Sequence, residues 1–245
     1  GDAEVIMTEL ILADVESAQS QLQKNLKKAR GQDKDAAANV ALLEKLIPHL
    51  DEGRPANLLD MDEDERSRLK SFFLLSSKSM LYACNLKEDE IANPSLNEHL
   101  SKFRDWAAKQ QYTDCCVISA KMEEELSELL DDEAKEYLES MGVEDSGVSS
   151  LIKSTYQLLG LASFLTAGEK EARAWTFTQG MTASQCAGVI HTDFEKSFIK
   201  AEVVSYDDLL KAGSMQLARE SGKLRLEGKE YLFVDGDVVL FKCNA

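Results

Sequence analysis

Apolar side chains recur at every third or fourth position through the first 50 residues, and this spacing restricts the fold more than any other feature. One stripe covers residues 11–29 and a second covers residues 36–50. Steps of three and four place side chains on one face of a helix, so the pattern predicts two amphipathic helices. We expect Gly31 to end the first helix in the left-handed conformation and Asp33 or Asp35 to cap the second. The pair predicts an antiparallel helical hairpin.

After Lys78 the apolar pattern changes from helical stripes to an alternation of short runs and helices. Before this change, a run of acidic residues indicates the start of a third helix, which is predicted from about Asp62 to Leu75. Strand-length apolar runs follow at 80–84 and 115–118, and helical patterns are present at 96–107, 126–138 and 148–159. Strands that alternate with helices predict βαβ units and a parallel sheet.

The last third has the pattern of a compact α+β module. Its predicted strands are 173–178, 198–204, 223–226, 230–234 and 238–242, and its predicted helices are 182–189 and 206–211. The dipeptides Glu227-Gly228 and Asp235-Gly236 are of the kind that closes hairpins.

Composition and cysteine usage place limits on the class of protein. The chain has 245 residues, 44% of them hydrophobic, and no apolar run of 18 residues, so we expect a soluble protein that is not exported. Its five cysteines show no CxxC spacing, which favours free thiols in a reducing cytosol, buried as small hydrophobic side chains. A thiol sensor that uses Cys115 or Cys116 is the alternative.

Charge is distributed unevenly along the chain. The formal net charge of −16 argues against nonspecific nucleic-acid binding by the chain as a whole. Residues 1–162 hold 18 Lys and Arg against 32 Asp and Glu, whereas residues 163–245 hold 10 against 12. The last third is therefore the part least repelled by RNA.

Two short polar segments follow the two predicted strands of the parallel sheet. They are Asn85-Leu86-Lys87-Glu88 and Ser119-Ala120-Lys121. Ligands of open parallel sheets bind at the carboxyl ends of the strands, so the two segments are expected to share one site. An ordinary strand exit, where Asn and acidic residues are common, would explain the first segment by itself.

The two segments together resemble the base-reading loops of GTP-binding P-loop proteins, which carry Asn-Lys-x-Asp after one strand and Ser-Ala-Lys after the next. In those proteins the aspartate accepts hydrogen bonds from guanine N1 and its amine, while the asparagine faces N7, which every purine has. Asn85 keeps the shared contact, but Leu86 and Glu88 replace the lysine and the aspartate. A site that leaves the guanine donors unpaired loses its ground for rejecting adenine, so the expected ligand shifts toward ATP.

The altered Asn-x-x-Glu is similar to the YchF, or Obg-like ATPase, branch of the Obg family of P-loop GTPases, and the likeness covers essentially the whole chain. It extends over the segments EVIMTELILADVE (4–16), LEKLIPHLDEGRPA (43–56), VISAKMEEEL (117–126), AWTFTQGMTASQCAGVIHTDFEKSFIKAEVVSYDDLL (174–210) and GKLRLEGKEYLFVDGDVVLFKCN (222–244). Ser79 and Ser197 depart from the family pattern, where proline and glycine are usual.

The resemblance implies a fold in four segments. It is an α/β fold, a partial P-loop G domain, with an inserted helical coiled-coil hairpin and a C-terminal α+β TGS domain of the β-grasp type. The implied segments are a remnant of the G-domain core (1–9), the hairpin (10–78), the base-reading half of the G domain (79–162) and the TGS domain (163–245).

The resemblance also implies a cytoplasmic, monomeric, ribosome-associated hydrolase that uses ATP or GTP with Mg²⁺. Its partner would be the ribosome, through the large subunit or the 70S particle, and possible RNA contacts would involve the TGS domain and the helical arm; no membrane contact is implied. From the residues alone, the hairpin is equally explained as a packing device.

The implied base-binding residues are Asn85, Leu86, Glu88, Ser119, Ala120 and Lys121. Asn85 would contact N7, the Leu86 main chain the adenine amine, and 119–121 the base edge and ribose. Two alternatives stay open: Lys121 as a solvated lysine at a helix start, and Glu88 as a residue that orients the loop without touching the ligand.

No catalytic or metal-binding residue is identified in the chain. GxxxxGK[ST] and DxxG are both absent from the sequence. The family resemblance places these motifs, with the Mg²⁺ ligand, before Gly1, so the 245-residue chain alone is expected to be inactive. A noncatalytic ribosome-binding or RNA-binding module is the alternative reading. His191 is expected to be a hydrogen-bonded structural residue, His49 a helix cap and His99 a surface residue.

Overall fold

The computed structural model describes residues 1–109, 115–168 and 171–244. They divide into two units, of which the first is Gly1–Met80 and the second comprises the described residues from Leu81 onward. Within these three stretches no helix combines the length and the apolar character needed to cross a bilayer.

The first unit is built on two long helices. Helix α1 spans Asp2–Ala29 and helix α2 spans Lys34–Asp51. The Asp33 carboxylate accepts hydrogen bonds of 3.0 Å from the N–H groups of Asp35 and Ala36, which confirms Asp33 as the cap of α2.

The turn between α1 and α2 reverses one residue later than predicted. Gly31 N–H donates to the Lys28 carbonyl at 2.9 Å and Gln32 N–H to the Ala29 carbonyl at 3.0 Å, so a tightened helical turn continues through both residues. Gln32, with φ of 65°, adopts the left-handed conformation that was predicted for Gly31. The reversal therefore falls directly before the cap Asp33.

The apolar stripes of the two helices form the core of the first unit, together with the segment that follows them. Its buried members are Met7, Ile11, Ala18, Leu42, Leu43, Leu46, Leu50, Ala56, Met61, Leu69, Phe72 and Leu74. The helical hairpin that the spacing predicted is therefore present and shares one core with residues 56–74.

Helix α3, Glu63–Lys70, begins where the acidic run predicted but ends five residues early. Asp62 and Glu65 form a capping box in which each carboxylate accepts a hydrogen bond from the other's N–H, at 2.8 and 3.1 Å. The chain leaves the helix because Phe73, with φ of 54°, turns it. The N–H groups that follow then bind the buried carboxylate of Asp14.

The second unit begins with the predicted pair of parallel strands. Strand β1, Tyr82–Asn85, pairs with β2, Cys115–Ile118, in a register that places Asn85 opposite Ile118. Strand β1 starts two residues later than predicted because Met80 packs against the core of the first unit.

Along the described chain, five α-helices follow one or other of these strands. They are α4 (Glu88–Ile91), α5 (Glu98–Lys109), α6 (Ala120–Ser127), α7 (Asp131–Ser140) and α8 (Gly147–Leu158). The single helix predicted over 126–138 is wrong, since α6 ends and α7 restarts there. The Glu133 carboxylate accepts a hydrogen bond from Leu130 N–H at 3.1 Å, which begins the new helix.

A five-stranded mixed sheet organises the rest of the second unit. Its strands are β3 (Leu161–Ala167), β4 (Ala172–Thr178), β5 (Phe198–Ser205), β6 (Arg225–Glu227) and β7 (Asp237–Cys243), and its helices are α9 (Ala183–Ile190), α10 (Thr192–Ser197), α11 (Tyr206–Ala212) and α12 (Met215–Glu220). The strand order is β4-β3-β7-β5-β6, with β3 parallel to β7 and the other neighbours antiparallel. The buried residues of its main core are Ala162, Phe164, Phe177, Ala183, Cys186, Ala201, Val203, Phe233 and Val239.

The strand predicted at 230–234 is wrong. In this segment Leu232 makes one isolated bridge, to Thr182, while Phe233 is buried in the core. The dipeptides at 227–228 and 235–236 consequently do not close hairpins; Gly236, with φ of 80°, instead turns the chain into β7.

Candidate nucleobase site

The strand register brings the two polar segments to one edge of the small parallel sheet. Asn85 and Ile118 are paired, and Leu86 N–H donates to the Ile118 carbonyl at 2.8 Å, which extends the ladder by one bond. The segments that leave β1 and β2 therefore start side by side.

A hydrogen bond from the Ala120 N–H to Asn85 Oδ1, of 3.0 Å, joins the two segments. A backbone N–H can only donate, so the accepting atom is the amide oxygen and the donor Nδ2 is the group that stays available to a ligand. N7 of a purine is an acceptor, so this orientation of Asn85 suits it.

A cavity of about 410 Å³ lies between the segments. Its lining comprises Asn85, Leu86, Lys87, Glu88, Asp89, Ser119 and Lys121. Five of the six residues predicted from the sequence are in this lining, and the sixth, Ala120, fixes the side chain of Asn85. Lys87 belongs to the first predicted segment but was not among the implied base-binding residues, and Asp89, its neighbour beyond Glu88, was not predicted. Ser119 is buried, whereas the Asn85 side chain is exposed.

Glu88 and Lys121 form an ion pair between the two segments. Lys121 Nζ lies 2.9 Å from Glu88 Oε1 and 3.7 Å from Glu125 Oε1 on the next turn of α6. The interaction with the Glu88 carboxylate is the main cause that raises the pKa of Lys121. Lys121 is exposed, but it is not merely a solvated lysine.

Glu90 holds the loop that carries Glu88, and sequence reasoning missed it. Its Oε2 accepts a hydrogen bond from Lys87 N–H at 3.2 Å and its Oε1 accepts one from Asn97 Nδ2 at 2.9 Å. The pattern Lys-x-x-Glu at a helix start could have indicated this bond. Glu90 and Asn97 also line a second cavity, of about 400 Å³, that shares 85–87 with the first.

Gly147, at the start of α8, supports the end of β2. A Cβ added there would lie 2.8 Å from Ile118 Cγ1 and 2.9 Å from its Cα. Gly147 N–H also donates to Glu123 Oε1 on α6, at 2.6 Å. Only glycine allows this approach, and nothing in the local sequence pattern indicated it.

Over residues 1–109, 115–168 and 171–244, no three His, Cys, Asp or Glu side chains come together in a way that could hold a metal ion.

The cysteines are free thiols of two kinds. Cys116 and Cys186 are buried, as predicted, while Cys84, Cys115 and Cys243 are partly exposed. Burial raises the pKa of Cys116 and raises that of Cys84 to about 12, the latter with the help of Cys115. A raised pKa lowers the thiolate fraction, which weighs against a thiol sensor at Cys116.

The three histidines have structural positions. His191 Nδ1 accepts a hydrogen bond from Asp193 N–H at 3.2 Å and so caps α10, in line with the prediction. His99 is an exposed residue of α5, also as predicted. His49 does not cap α2: its Nε2 lies 2.9 Å from the Pro55 carbonyl oxygen, so this buried side chain ties α2 to the following loop.

The comparison with protein families gives a match in the last module of the chain. Residues 161–244 match a family model described as YchF-GTPase_C, a protein of unknown function (DUF933). The match begins at the first residue of β3 and ends one residue after β7.

Comparison with curated proteins covers nearly the whole chain. Proteins named Ribosome-binding ATPase YchF are 46% identical over 243 residues in Bacillus subtilis (strain 168) and 41% identical over 243 residues in Escherichia coli O157:H7. Each alignment includes 99% of this chain and 66% of the relative. The chain therefore spans just under two thirds of the length of these relatives.

Comparison with solved structures agrees. The Schizosaccharomyces pombe YchF GTPase superposes with a TM-score of 0.83 at 31% identity, over 98% of this chain and 65% of that one. A GTP binding protein from Pyrococcus horikoshii OT3 superposes with a TM-score of 0.57 at 18% identity, over 99% and 71% of the two chains, which supports the fold alone.

Proposed function

The chain belongs to the YchF family, and from that premise we propose that it carries the base-reading part of a ribosome-associated nucleotide hydrolase that accepts ATP at least as well as GTP. One observation carries the proposal: the Ala120 N–H to Asn85 Oδ1 hydrogen bond draws two strand-end segments around a cavity of about 410 Å³. Asn85 Nδ2 would donate to purine N7. The names of the relatives, ATPase and GTPase, agree with a nucleotide ligand.

The proposed preference for adenine follows from the side chains at 86 and 88. Leu86 has no polar side chain to offer the base, so its contact would come from the main chain, facing the adenine amine. Glu88 is one methylene longer than the aspartate of a guanine site, and its carboxylate is paired with Lys121. Leaving guanine donors unpaired removes the basis for excluding adenine.

The proposed domain layout keeps the four segments 1–9, 10–78, 79–162 and 163–245, from G-domain remnant through hairpin and base-reading half to TGS domain. The sheet order β4-β3-β7-β5-β6, with the first and last strands of the module parallel at its centre, supports a β-grasp fold for the last segment. Hydrolysis, with Mg²⁺ and phosphate ligands, belongs to the proposal for the full-length protein and involves none of the residues described above.

The proposed partner is the ribosome, which the names of the bacterial relatives state for those proteins. The protein would act in the cytoplasm as a monomer, and the TGS domain and helical hairpin would supply its contacts with ribosomal RNA or protein.

The base site can be tested by adding AMP to the 245-residue chain and detecting its binding by ligand-observed NMR. Asn85→Ala should abolish the AMP signal, because it removes both the N7 donor and the bond to Ala120. Asn57→Ala, an exposed asparagine in the first unit, is the matched control and should leave binding unchanged. Equal AMP binding by the two variants would remove the base-site assignment.

Base preference can be tested by restoring the guanine-type pattern. Leu86→Lys combined with Glu88→Asp, in a protein of the relatives' full length, should move the ratio of GTP to ATP affinity upward. An unchanged ratio would show that these two positions do not read the base.

A noncatalytic ribosome-binding or RNA-binding module is the second candidate, favoured by the near-neutral charge of residues 163–245. Cosedimentation with ribosomes tests the role of the last module, by comparing the chain with a version ending at Gly160, the residue before β3. Equal recovery of both would remove the role proposed for the last module.

A further inference from the structure

Glu88 stands where a guanine site carries the aspartate that recognises the base. Its carboxylate forms an ion pair with Lys121. The pair spans the two strand-end segments, with Nζ and Oε1 2.9 Å apart. The Glu88 side chain is 27% exposed and that of Lys121 is 69% exposed, so the carboxylate is the more buried partner of the pair. This arrangement gives Glu88 a partner before any base arrives.

Guanine and adenine differ in the hydrogen-bonding groups that they would present to residue 88. Guanine offers two donors, N1–H and its amine, whereas adenine presents an acceptor at N1. A carboxylate is an acceptor only, so a free one would pair with guanine and repel the lone pair of adenine N1. Lys121 takes up one of the two acceptor oxygens of Glu88, Oε1, and its positive charge weakens the other oxygen as an acceptor, so guanine gains less from Glu88 than from a free carboxylate.

A second guanine feature, the exocyclic oxygen O6, needs a donor. The Ala120 N–H beside the cavity is already donating to Asn85 at 3.0 Å. The Ala120 N–H and one oxygen of the Glu88 carboxylate are therefore engaged within the protein.

We propose that Lys121 is a specificity-determining residue, which withholds the Glu88 carboxylate from guanine and so opens the site to adenine. The inference rests on the base site proposed above and assigns a role to the ion pair itself. Glu125 helps to place the lysine, with its Oε1 3.7 Å from Nζ, and accepts a hydrogen bond of 2.7 Å from the Tyr137 hydroxyl through its other oxygen. Lys121 is thus held at Glu88 from the side of α6 and α7.

The test compares AMP with GMP, which share ribose and phosphate, so that the ratio of their affinities isolates the base. Both are titrated into the 245-residue chain and followed by ligand-observed NMR. Lys121→Met removes the charge but keeps an unbranched side chain, and it should raise the affinity for GMP relative to AMP about tenfold, the size expected for a charge-assisted hydrogen bond. Lys121→Arg keeps the ion pair and should leave the ratio unchanged.

A double variant identifies the reading group. Lys121→Met with Glu88→Gln removes the carboxylate at position 88, so the gain for GMP should disappear; a gain that persists would overturn the proposal. An unchanged ratio in Lys121→Met, with both nucleotides bound, would overturn it as well while leaving the base site intact. If the unaltered chain binds neither nucleotide, the base site itself fails, and the role of Lys121 fails with it.

Discussion

Asp14 and Ser76 are 62 residues apart in the chain and are joined by two hydrogen bonds to one carboxylate oxygen. Asp14 Oδ2 accepts from the Ser76 hydroxyl at 2.6 Å and from its N–H at 2.7 Å, while Oδ1 accepts from Leu75 N–H at 2.7 Å. The Asp14 side chain is 2% exposed. This buried carboxylate fastens the segment after α3 to the middle of α1.

Replacing this carboxylate by an amide should destabilise the first unit. Asp14→Asn has nearly the same shape, but its Nδ2 is a donor that faces other donors, and we expect a loss of about 3 kcal/mol in the free energy of unfolding. Urea unfolding followed by circular dichroism measures it. Glu16→Gln, an exposed residue two positions along α1, should change stability little; similar midpoints for both variants would contradict the role of Asp14.

Gly147 offers a test of how α8 supports the base site. Gly147→Ala would place a methyl 2.9 Å from the Cα of Ile118, so α8 or β2 must shift. We expect a loss of about 2 kcal/mol in stability and weaker AMP binding, because the Ile118 carbonyl receives the Leu86 N–H.

The control for this change is Gly228→Ala, since a Cβ at Gly228 meets nothing within 4 Å. It should leave both stability and AMP binding near those of the unaltered chain. If Gly147→Ala behaves like this control, the close approach of α8 to β2 is not needed for the site.

Local pattern was sufficient to predict those elements whose apolar residues face one core. Strand β2 was predicted with its observed bounds, 115–118, because its run is short and isolated. Strand β3 was missed because Leu161 directly follows a helical stripe and Gly160, so no loop separates the two periods. The segment 230–234 has the short apolar run of a strand, yet Phe233 enters the core from a stretch with a single bridge.

The same distinction applies to the candidate site, where some residues could be predicted from the sequence and others could not. Sequence reasoning placed Asn85 and Ser119 side by side because both lie at the ends of strands of one sheet, which is a matter of chain order. Glu90 and Gly147 were missed because their importance depends on which residue packs against them in space. The partnership of Glu88 with Lys121 also requires the register of β1 and β2, which places their following segments side by side.

Tyr231 should titrate far above the usual range of a tyrosine. Burial first, and then its hydrogen bond to Asp237, raise the pKa of Tyr231 from 10.0 to about 12. The hydroxyl donates to Asp237 Oδ2 at 2.8 Å, and Arg225 Nη2 lies 3.2 Å from Oδ1. Because the folded pKa is the higher one, the stabilisation is complete below pH 10 and is lost as the pH rises through about 12.

NMR of the tyrosine ring carbons gives the measurement, with Tyr231→Phe to assign the signal. At neutral pH that variant should lose about 1 kcal/mol of stability with the hydrogen bond, and it should also lose the part of the stability change that falls between pH 10 and 12. A Tyr231 signal that titrates at pH 10 would show that Asp237 and burial do not hold the phenol protonated.

Glu90 should affect the strength of base binding but not its selectivity. Its two oxygens hold Lys87 N–H and Asn97 Nδ2, so Glu90→Ala frees the loop that carries Glu88 while leaving the Glu88–Lys121 pair in place. We expect AMP and GMP to bind about fivefold more weakly, because two hydrogen bonds that order the loop are lost. The ratio of the two affinities should stay constant, in contrast to Lys121→Met. Glu98→Ala, which removes an exposed carboxylate paired only with Lys102 among the residues described, is the control. A change in the ratio on removing Glu90 would mean that loop order, and not the partner of Glu88, sets the base preference.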